Sequence, residues 1–474
     1  MSKEQGSESA VSRSQFMKEE EMAEEKEAPK KVSRREFVKG AAAVASVGAL
    51  ASCAPAATPT TAPEAAPTCP PAPTCPPAEE CAPCPTPWMP EEWDEEVDVV
   101  VCGSGAGALP AAIDAYDAGA DVLIIERNDW LGGSFRRSGG GIVGAGTIVQ
   151  KDLGVEDSPD AYYNYLLKCN ENDGGLWSDP ALMRVVADTC GANVDWIIED
   201  LGSEMRWERV EDYTLLYGLN KDSGFKELNE SFESPERIPR THWFTPITEF
   251  LDAEPFGFGG GFQRGLPGGS GLFKGFDDAI QARGIRSMLE TPLLELVTNW
   301  DGEVLGVKAL TGWEPITEIR QMSIRESGIL DVPAVIGYRG GTPLYIKANK
   351  GVVLACGSFA QNEEMVANYS PAEIGVPGIR HPNNETGEGI IAAHAVGAAL
   401  LDMGASSDLG GVRINPQAQV INVYGQIIPR LYAAPFTAAG TYPKTSPGSG
   451  HHNCHAVAFG RIAGQNVAAL DPWV

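Results

Sequence analysis

The chain has 474 residues, ordinary hydrophobic content and a formal net charge of −28 at neutral pH, and is long enough for two domains. Residues 1–52 set nine basic side chains against nine acidic ones, so the whole negative excess falls on 53–474. Such a surface argues against nucleic acid as a partner and against a polybasic grip on a membrane.

Residues 1–31 are polar, with a Glu/Lys run from Lys18 to Glu27, and read as a solvated segment. Arg34-Arg35 then precedes an apolar run, Ala41 to Ala51, that is too short to span a bilayer as a helix. A twin arginine before such a run resembles a Tat export signal. Leu50-Ala51-Ser52-Cys53 resembles a bacterial lipobox, which implies a lipid on Cys53. The expectation is an exported protein anchored on the outer face of the cytoplasmic membrane. Tat export also suits a protein that folds around a cofactor first. Residues 54–94 form a Pro/Cys-rich linker that favours extended polyproline II. No His follows Cys84, so Cys81-Ala-Pro-Cys84 is no c-type haem site. Prolines stiffen the loops a tetrahedral metal site needs, so Cys69, Cys75, Cys81 and Cys84 read as disulfide-forming, with no metal.

The most informative stretch runs from Val97 to Ile142. A short apolar run ends at Gly103-Ser-Gly105-Ala106-Gly107-Ala108, an alanine-rich segment follows to Gly119, and Asp121-Val-Leu-Ile-Ile125 ends on Glu126. This predicts strand, glycine turn, helix and strand. Gly103 permits the tight turn, Gly105 lets backbone approach a pyrophosphate, and Ala108 lets helix and strand pack closely. Pro110 fits the first helical turn, and the helix N-terminus faces phosphates with free N–H groups. Glu126 stands about 20 residues beyond the glycines, where an acid holds ribose hydroxyls. A dinucleotide site is expected.

A second glycine cluster, Gly132-Gly133-Ser134-Phe-Arg-Arg-Ser138-Gly139-Gly140-Gly141-Ile142, follows the ribose acid directly. Here the chain resembles the fumarate reductase/succinate dehydrogenase flavoprotein family, and most resembles the branch that includes 3-ketosteroid dehydrogenases. The resemblance implies FAD rather than NAD, with this segment along the pyrophosphate and under the flavin ring and Arg127 beside it. It also implies an α/β fold: a Rossmann-like FAD-binding domain of the glutathione-reductase type with an inserted α+β capping domain.

Further along, Ser158-Pro159 and Asp179-Pro180 start helices, with Ser158 a plausible cap and each proline at the first position. Cys169 and Cys190 read as buried thiols. Glu204 to Gly271 is aromatic and glycine-rich without a clear period, and suits either a lid over a flat substrate or a loop-rich small domain. A helix to Gly284, a strand to Glu290 and Asp301-Gly302 between apolar runs follow, the last a hairpin signal. Residues 310–346 read as several short strands. By the resemblance, backbone in the Thr291-Pro292-Leu293 stretch, with Leu294, meets the adenine end, and the strand ending Ala355-Cys356-Gly357 belongs to the FAD domain. Asn384-Glu-Thr386-Gly387-Glu388-Gly389 resembles a family turn that opens a helix. Leu431-Tyr432-Ala433-Ala434 and Phe459-Gly460-Arg461 match the family's ending, whose last helix points its N-terminus, near His455 and Ala456, at the flavin pyrimidine.

Three departures concern the substrate. Pro435-Phe436 stands where the family has glycine and an acid, Asp402 to Ser407 where it has a fumarate-binding His-Pro-Thr, and Ser446 where ketosteroid enzymes have tyrosine. The segments expected are the signal region 1–53, linker 54–94, FAD-binding parts 95–200, 266–310 and 347–474, a capping segment 201–265 and a strand segment 311–346. The expected activity is hydride transfer to or from a CH–CH or C=C bond activated by a carbonyl or carboxylate. The partners are a small-molecule substrate and a cytochrome or quinone-linked electron carrier. Tyr442, His451, His452 and Arg380 are the candidate catalytic residues, as groups to clamp a carbonyl or move a proton. The rival is a degenerate, non-catalytic FAD-fold surface lipoprotein.

Overall fold

The computed structural model describes residues 89–172, 174–175, 177–203, 238, 240–244, 269–324, 328–374, 385–444, 447–448 and 450–473, without the side chains of 172 and 319–334. The twin arginine, Cys53, the four linker cysteines, Tyr213, Tyr217, Arg380 and His381 lie outside the described residues.

The apolar run that the sequence marks as a first strand is β1 (Glu95–Cys102), with Val99 to Cys102 wholly buried. The glycine turn leads to α1 (Ala108–Asp117) and then β2 (Val122–Ile125), parallel to β1 with Val99 opposite Val122. The second glycine cluster forms α2 (Gly133–Arg136) and β3 (Gly141–Val143). Next come α3 (Ile148–Asp152), α4 (Pro159–Asn172) and α5 (Pro180–Glu199). The expected Ser158 cap is present, and Asp179 supplies a second. Ser158 Oγ accepts from the Ala161 amide at 3.2 Å, and Asp179 Oδ1 from the Ala181 amide at 2.8 Å. Cys169 and Cys190 are buried thiols outside any disulfide.

The chain returns as β4 (Thr241–Trp243), antiparallel to β3, then α6 (Gly269–Arg283), β5 (Arg286–Met288) and β6 (Leu293–Thr298). The Asp301-Gly302 hairpin joins β6 to β7 (Val304–Ile324), with Thr298 opposite Val304. Strand β8 (Gly328–Leu354) runs back along β7. The several short strands expected over 310–346 are instead one long two-stranded ribbon. Gly312, Gly340 and Gly341 each take a left-handed conformation inside the ribbon, at φ of 62°, 67° and 89°, without ending either strand.

The remaining elements are α7 (Glu363–Tyr369), α8 (Glu388–Ala395), β9 (Leu400–Leu401), β10 (Gly411–Arg413), β11 (Gln419–Ile421), β12 (Ile427–Ala433), β13 (Ala438–Ala439) and α9 (His451–Ala468). Among the described residues the main sheet has eight strands, with the path β11-β12-β8-β1-β2-β5 and β6 and β7 off it. From β12 to β5 the neighbours are parallel, and a parallel sheet needs both faces covered. The small residues of α1 and α9 meet that need on one side. A Cβ on Gly460 would lie 2.3 Å from the Gly107 carbonyl oxygen, and one on Gly464 would lie 2.2 Å from that of Ala111. No helix among the described residues is long and apolar enough to cross a membrane.

This contact predicts that Gly460→Ala costs about 1–3 kcal/mol of stability. It also weakens cofactor binding, because the displaced Gly107 belongs to the glycine turn. Denaturant unfolding and FAD titration of the same variant check both; unchanged midpoints would contradict the packing.

Candidate functional site

A cleft of about 400 Å³ opens beyond the carboxyl ends of β1, β2, β8 and β12, the position where parallel α/β sheets bind ligands. Its floor is the first glycine turn. Gly103 has φ of +98°, and a Cβ there would stand 2.4 Å from the Ala355 carbonyl oxygen. A Cβ on Gly107 would meet Ala434 at 2.6 Å. Gly105 differs: a Cβ there would meet nothing within 4 Å and would project into open space. The turn therefore has one glycine for conformation, one for packing and one whose bare backbone faces the ligand.

Glu126 closes the next part of the cleft. It is 7% exposed. Ser104 Oγ donates to it at 2.5 Å and the Asn128 amide at 2.8 Å, while the Gly132 amide donates to Ser104 Oγ at 2.9 Å. Burial pushes its carboxyl above the usual range, against the pull of the Asn128 amide, the Ser104 hydroxyl and Arg127. The remaining lone pairs of a carboxylate held in this way suit ribose hydroxyls.

The rim beyond Glu126 is a clasp of side chains from distant parts of the chain. Arg127 donates to Thr386 Oγ1 at 2.8 Å and pairs with Glu388 at 3.2 Å. Tyr338, on β8, donates to the same Glu388. Trp313, on β7, lies edge-on to Tyr338 with ring centroids 4.7 Å apart and donates to the Glu290 carbonyl at 2.7 Å. Glu290 precedes Thr291, Pro292 and Leu293, which line the cleft. Both strands of the ribbon thus hold this rim.

At the other end, Asn453 Nδ2 donates to the Gly141 carbonyl at 2.9 Å and to Ser138 Oγ at 3.4 Å, tying α9 to the second glycine cluster. His452 projects into the cleft, edge-on to Phe436 at 5.2 Å between centroids and against Tyr442 at 4.3 Å. Phe436 has φ of 77°, a left-handed conformation rare for a side chain of its size. The surrounding protein pushes the His452 ring down to about 4. That ring is nevertheless exposed to the cleft, so solvent there weakens the shift until a ligand fills the space.

Of the residues assigned from sequence, Gly103, Gly105, Ala106, Gly107, Glu126, Arg127, Gly133, Ser134, Ser138, Gly139, Ala355, Gly357 and His452 line this cleft. Several do not. Leu294 is outside the lining, although Thr291, Pro292 and Leu293 of the same expected stretch are in it; neighbouring strand residues alternate, and Leu293 takes the inner side. Ala108 and Ala456 are wholly buried packing residues. Gly132 packs on Phe273, Gly141 on Thr241 and Trp243, and Gly140 is a φ +77° turn residue outside the lining. His451 points the other way and is 3% exposed, its Nδ1 hydrogen-bonded to the Tyr162 hydroxyl at 2.7 Å. Tyr442 and His455 line a separate small cavity behind Phe436. Asp408, Glu385, Thr386, Glu388, Phe436 and Asn453 line the cleft without having been assigned. Glu385, Thr386 and Glu388 belong to the turn that resembles the family's, Phe436 stands at the family's acid position, and Asn453 lies beside His452 on the first turn of the last helix; Asp408 had no signal in the sequence.

An open path over Gly105, a conformationally obligatory Gly103, a ribose acid and a long cleft fit FAD. Together they define a flavin dinucleotide-binding protein. The FAD binding domain family model matches residues 98–407, and the chain belongs to that family, with FAD as its cofactor. The NADH:fumarate oxidoreductase of Klebsiella pneumoniae (strain 342) is 27% identical over 307 residues, covering 65% of this chain and 25% of that protein. The fumarate reductase (cytochrome) of Shewanella frigidimarina is 27% identical over 309 residues, covering 65% and 41%. The 3-oxosteroid 1-dehydrogenase of Mycobacterium tuberculosis (strain ATCC 25618 / H37Rv) is 26% identical over 341 residues, covering 65% and 55%. The chain thus spans from a quarter to about half the length of these relatives. Among solved structures, the 3-ketosteroid-delta4-(5alpha)-dehydrogenase of Rhodococcus jostii RHA1 superposes with a TM-score of 0.59 at 20% identity, covering 80% of this chain and 98% of that one. A flavocytochrome c3 fumarate reductase in its open conformation gives 0.57 at 19%, covering 79% and 78%. These two likenesses show the shared fold.

Because the Cβ of residue 105 has free space, Gly105→Val is expected to keep the apo-protein's unfolding midpoint while abolishing FAD binding. FAD retained at one per chain would contradict the placement of the pyrophosphate. The buried histidines give a second prediction. Burial lowers His242 to about 4, well below the ordinary 6.5. The unfolded chain therefore takes up a proton there that the folded chain refuses, so stability from this group is complete above 6.5 and falls away toward 4. Asp402, raised to about 7 by burial, acts in the opposite sense, so the informative quantity is a difference. Relative to His242→Gln, the parent loses stability as pH falls from 6.5 toward 4, and the two profiles run parallel above 6.5. Profiles parallel throughout would contradict a neutral, buried His242.

Proposed function

We propose that this protein is an FAD-dependent oxidoreductase that moves a hydride to or from a CH–CH or C=C bond activated by a neighbouring carbonyl or carboxylate. The observation that carries this reading is the convergence of His452 and Asn453, from the first turn of α9, with Ser138 and Gly139 of the second glycine cluster at one end of the cleft. Bound in the cleft, FAD supplies a two-electron carrier able to give or take a hydride. The chain's own residues supply the rest. His452 offers a polar ring to a substrate or a proton. The N-terminus of α9 favours negative charge that develops nearby. Phe436 and Tyr442 flank that ring and fix its place at the edge of the cleft. The intact cradle and the catalytic names of the relatives support this reading over a non-catalytic binding protein.

The same proposal places the protein outside the cytoplasmic membrane, exported through Arg34-Arg35 and held by a lipid on Cys53. Its electrons pass to or from a cytochrome or quinone-linked partner.

Two half-reactions test the chemistry. In His452→Ala, reduction of the flavin by dithionite stays as in the parent. Its reoxidation by a productive alkene, found by screening fumarate, acrylate and cyclic enones, slows by roughly hundredfold or more. Parent-like reoxidation would move the chemistry elsewhere. For location, replacing both Arg34 and Arg35 by Lys traps a precursor inside the cell, and Cys53→Ala releases folded protein from membranes. Membrane association that survives Cys53→Ala would reveal another anchor.

A further inference from the structure

We infer that the small cavity behind Phe436 receives a single uncharged oxygen of the substrate, a ketone carbonyl or its enol, against the ring of His455. This rests on the oxidoreductase reading above and specifies its substrate class.

His455 lies one turn beyond His451 on α9 and is 1% exposed. Among the described residues neither ring nitrogen makes a hydrogen bond. The Thr441 carbonyl is near enough to favour a ring proton but falls outside hydrogen-bond geometry. A neutral imidazole carries one donor and one acceptor, and leaving such a group buried and unpaired costs about 1–3 kcal/mol. A polar atom in the cavity removes that cost.

The shape of the cavity limits what that atom belongs to. Its free volume is about 10 Å³, room for one water-sized group. One oxygen fits; the two oxygens of a carboxylate do not. Asp408, Pro435, Phe436 and His452 belong to the walls of both the cavity and the main cleft, so the two spaces adjoin across these side chains.

Charge points the same way. The described lining of the cavity holds Asp408 and no Arg or Lys. In the main cleft the cation among the described lining residues is Arg127, engaged by Glu388 on the opposite rim. A carboxylate placed beside His455 would meet Asp408, and the described lining of the cavity offers it no Arg or Lys. Burial keeps the His455 ring neutral down to about 3, which suits a partner without charge. Tyr442 stands 5.2 Å from the His455 ring between centroids, and Phe436, which also lines the main cleft, provides aromatic surface there for a flat carbon frame. A hydrogen bond from His455 to a ketone oxygen also stabilises the negative charge that gathers there when the β-carbon of an enone accepts a hydride.

The test uses FAD-loaded full-length protein. Cyclohex-2-enone, phenol and fumarate are titrated separately while the visible absorbance of the flavin is followed. In the parent, the enone and phenol perturb the band and fumarate does not. In His455→Phe, apparent affinity for both uncharged probes falls roughly tenfold or more, and His455→Asn recovers part of it; FAD content and melting temperature confirm that both variants fold. Equal responses in parent and His455→Phe would mean that the cavity holds only water, and would overturn the inference. So would a stronger response to fumarate than to the enone, or a parent silent to every probe. Failure of the wider reading looks different: reduced flavin is then reoxidised by no activated alkene at all, whereas failure of this inference leaves reoxidation intact but indifferent to His455.

Discussion

The carboxyl ends of β1 and β8 approach so closely that no side chain fits between them. Gly103 turns left-handed against the Ala355 carbonyl because nothing larger has room. That contact opens the cleft: it bends the chain away from β1, frees Gly105 to face a ligand and starts α1 with its amides toward the same space. Glu126, one strand over, is then within reach of the same ligand.

The last helix completes the site by presenting different faces to different tasks. Its glycines, Gly460 and Gly464, seat it on α1. Its first turn spreads four residues around the axis: His451 toward Tyr162, His452 into the cleft, Asn453 onto the second glycine cluster and Cys454 into the core. Behind it, Arg240 pairs with Asp157 at 2.8 Å and sits over Tyr162, which backs the His451 hydrogen bond with a buried charge network. A helix held this firmly at its start aims its N-terminal amides with little freedom, as an electrostatic role at a cofactor requires.

The parts of this arrangement legible in the sequence are those where backbone sterics dictate residue type. Gly103, Gly105 and Glu126 could be placed because a tight turn, a close approach and an acid after the second strand leave few alternatives. Side-chain direction was harder to read. Leu294 and Leu293 differ by one residue and face opposite ways. His451, His452 and His455 form one cluster on paper, yet each helical residue turns about 100° from the last, and the phase is set by where Gly450 starts the helix. Asp408, Glu388 and Tyr338 reach the site from elements far apart in the chain, so no local pattern could assemble them. The ribbon, expected as several short strands, runs on through glycines whose left-handed conformations do not end a strand.

The ribbon has a consequence for the cofactor's residence time. Beyond the point where β8 leaves β1, β7 and β8 pair with each other, and among the described residues no third strand shares their load. Yet an indole from one strand and a phenol from the other are fastened to opposite sides of the same rim, at Glu290 and Glu388. A tug on the ribbon is therefore transmitted as a parting of that rim, and steadying the ribbon keeps it shut. How long FAD stays then depends on mechanical conditions outside the cleft as well as on the groups that touch it.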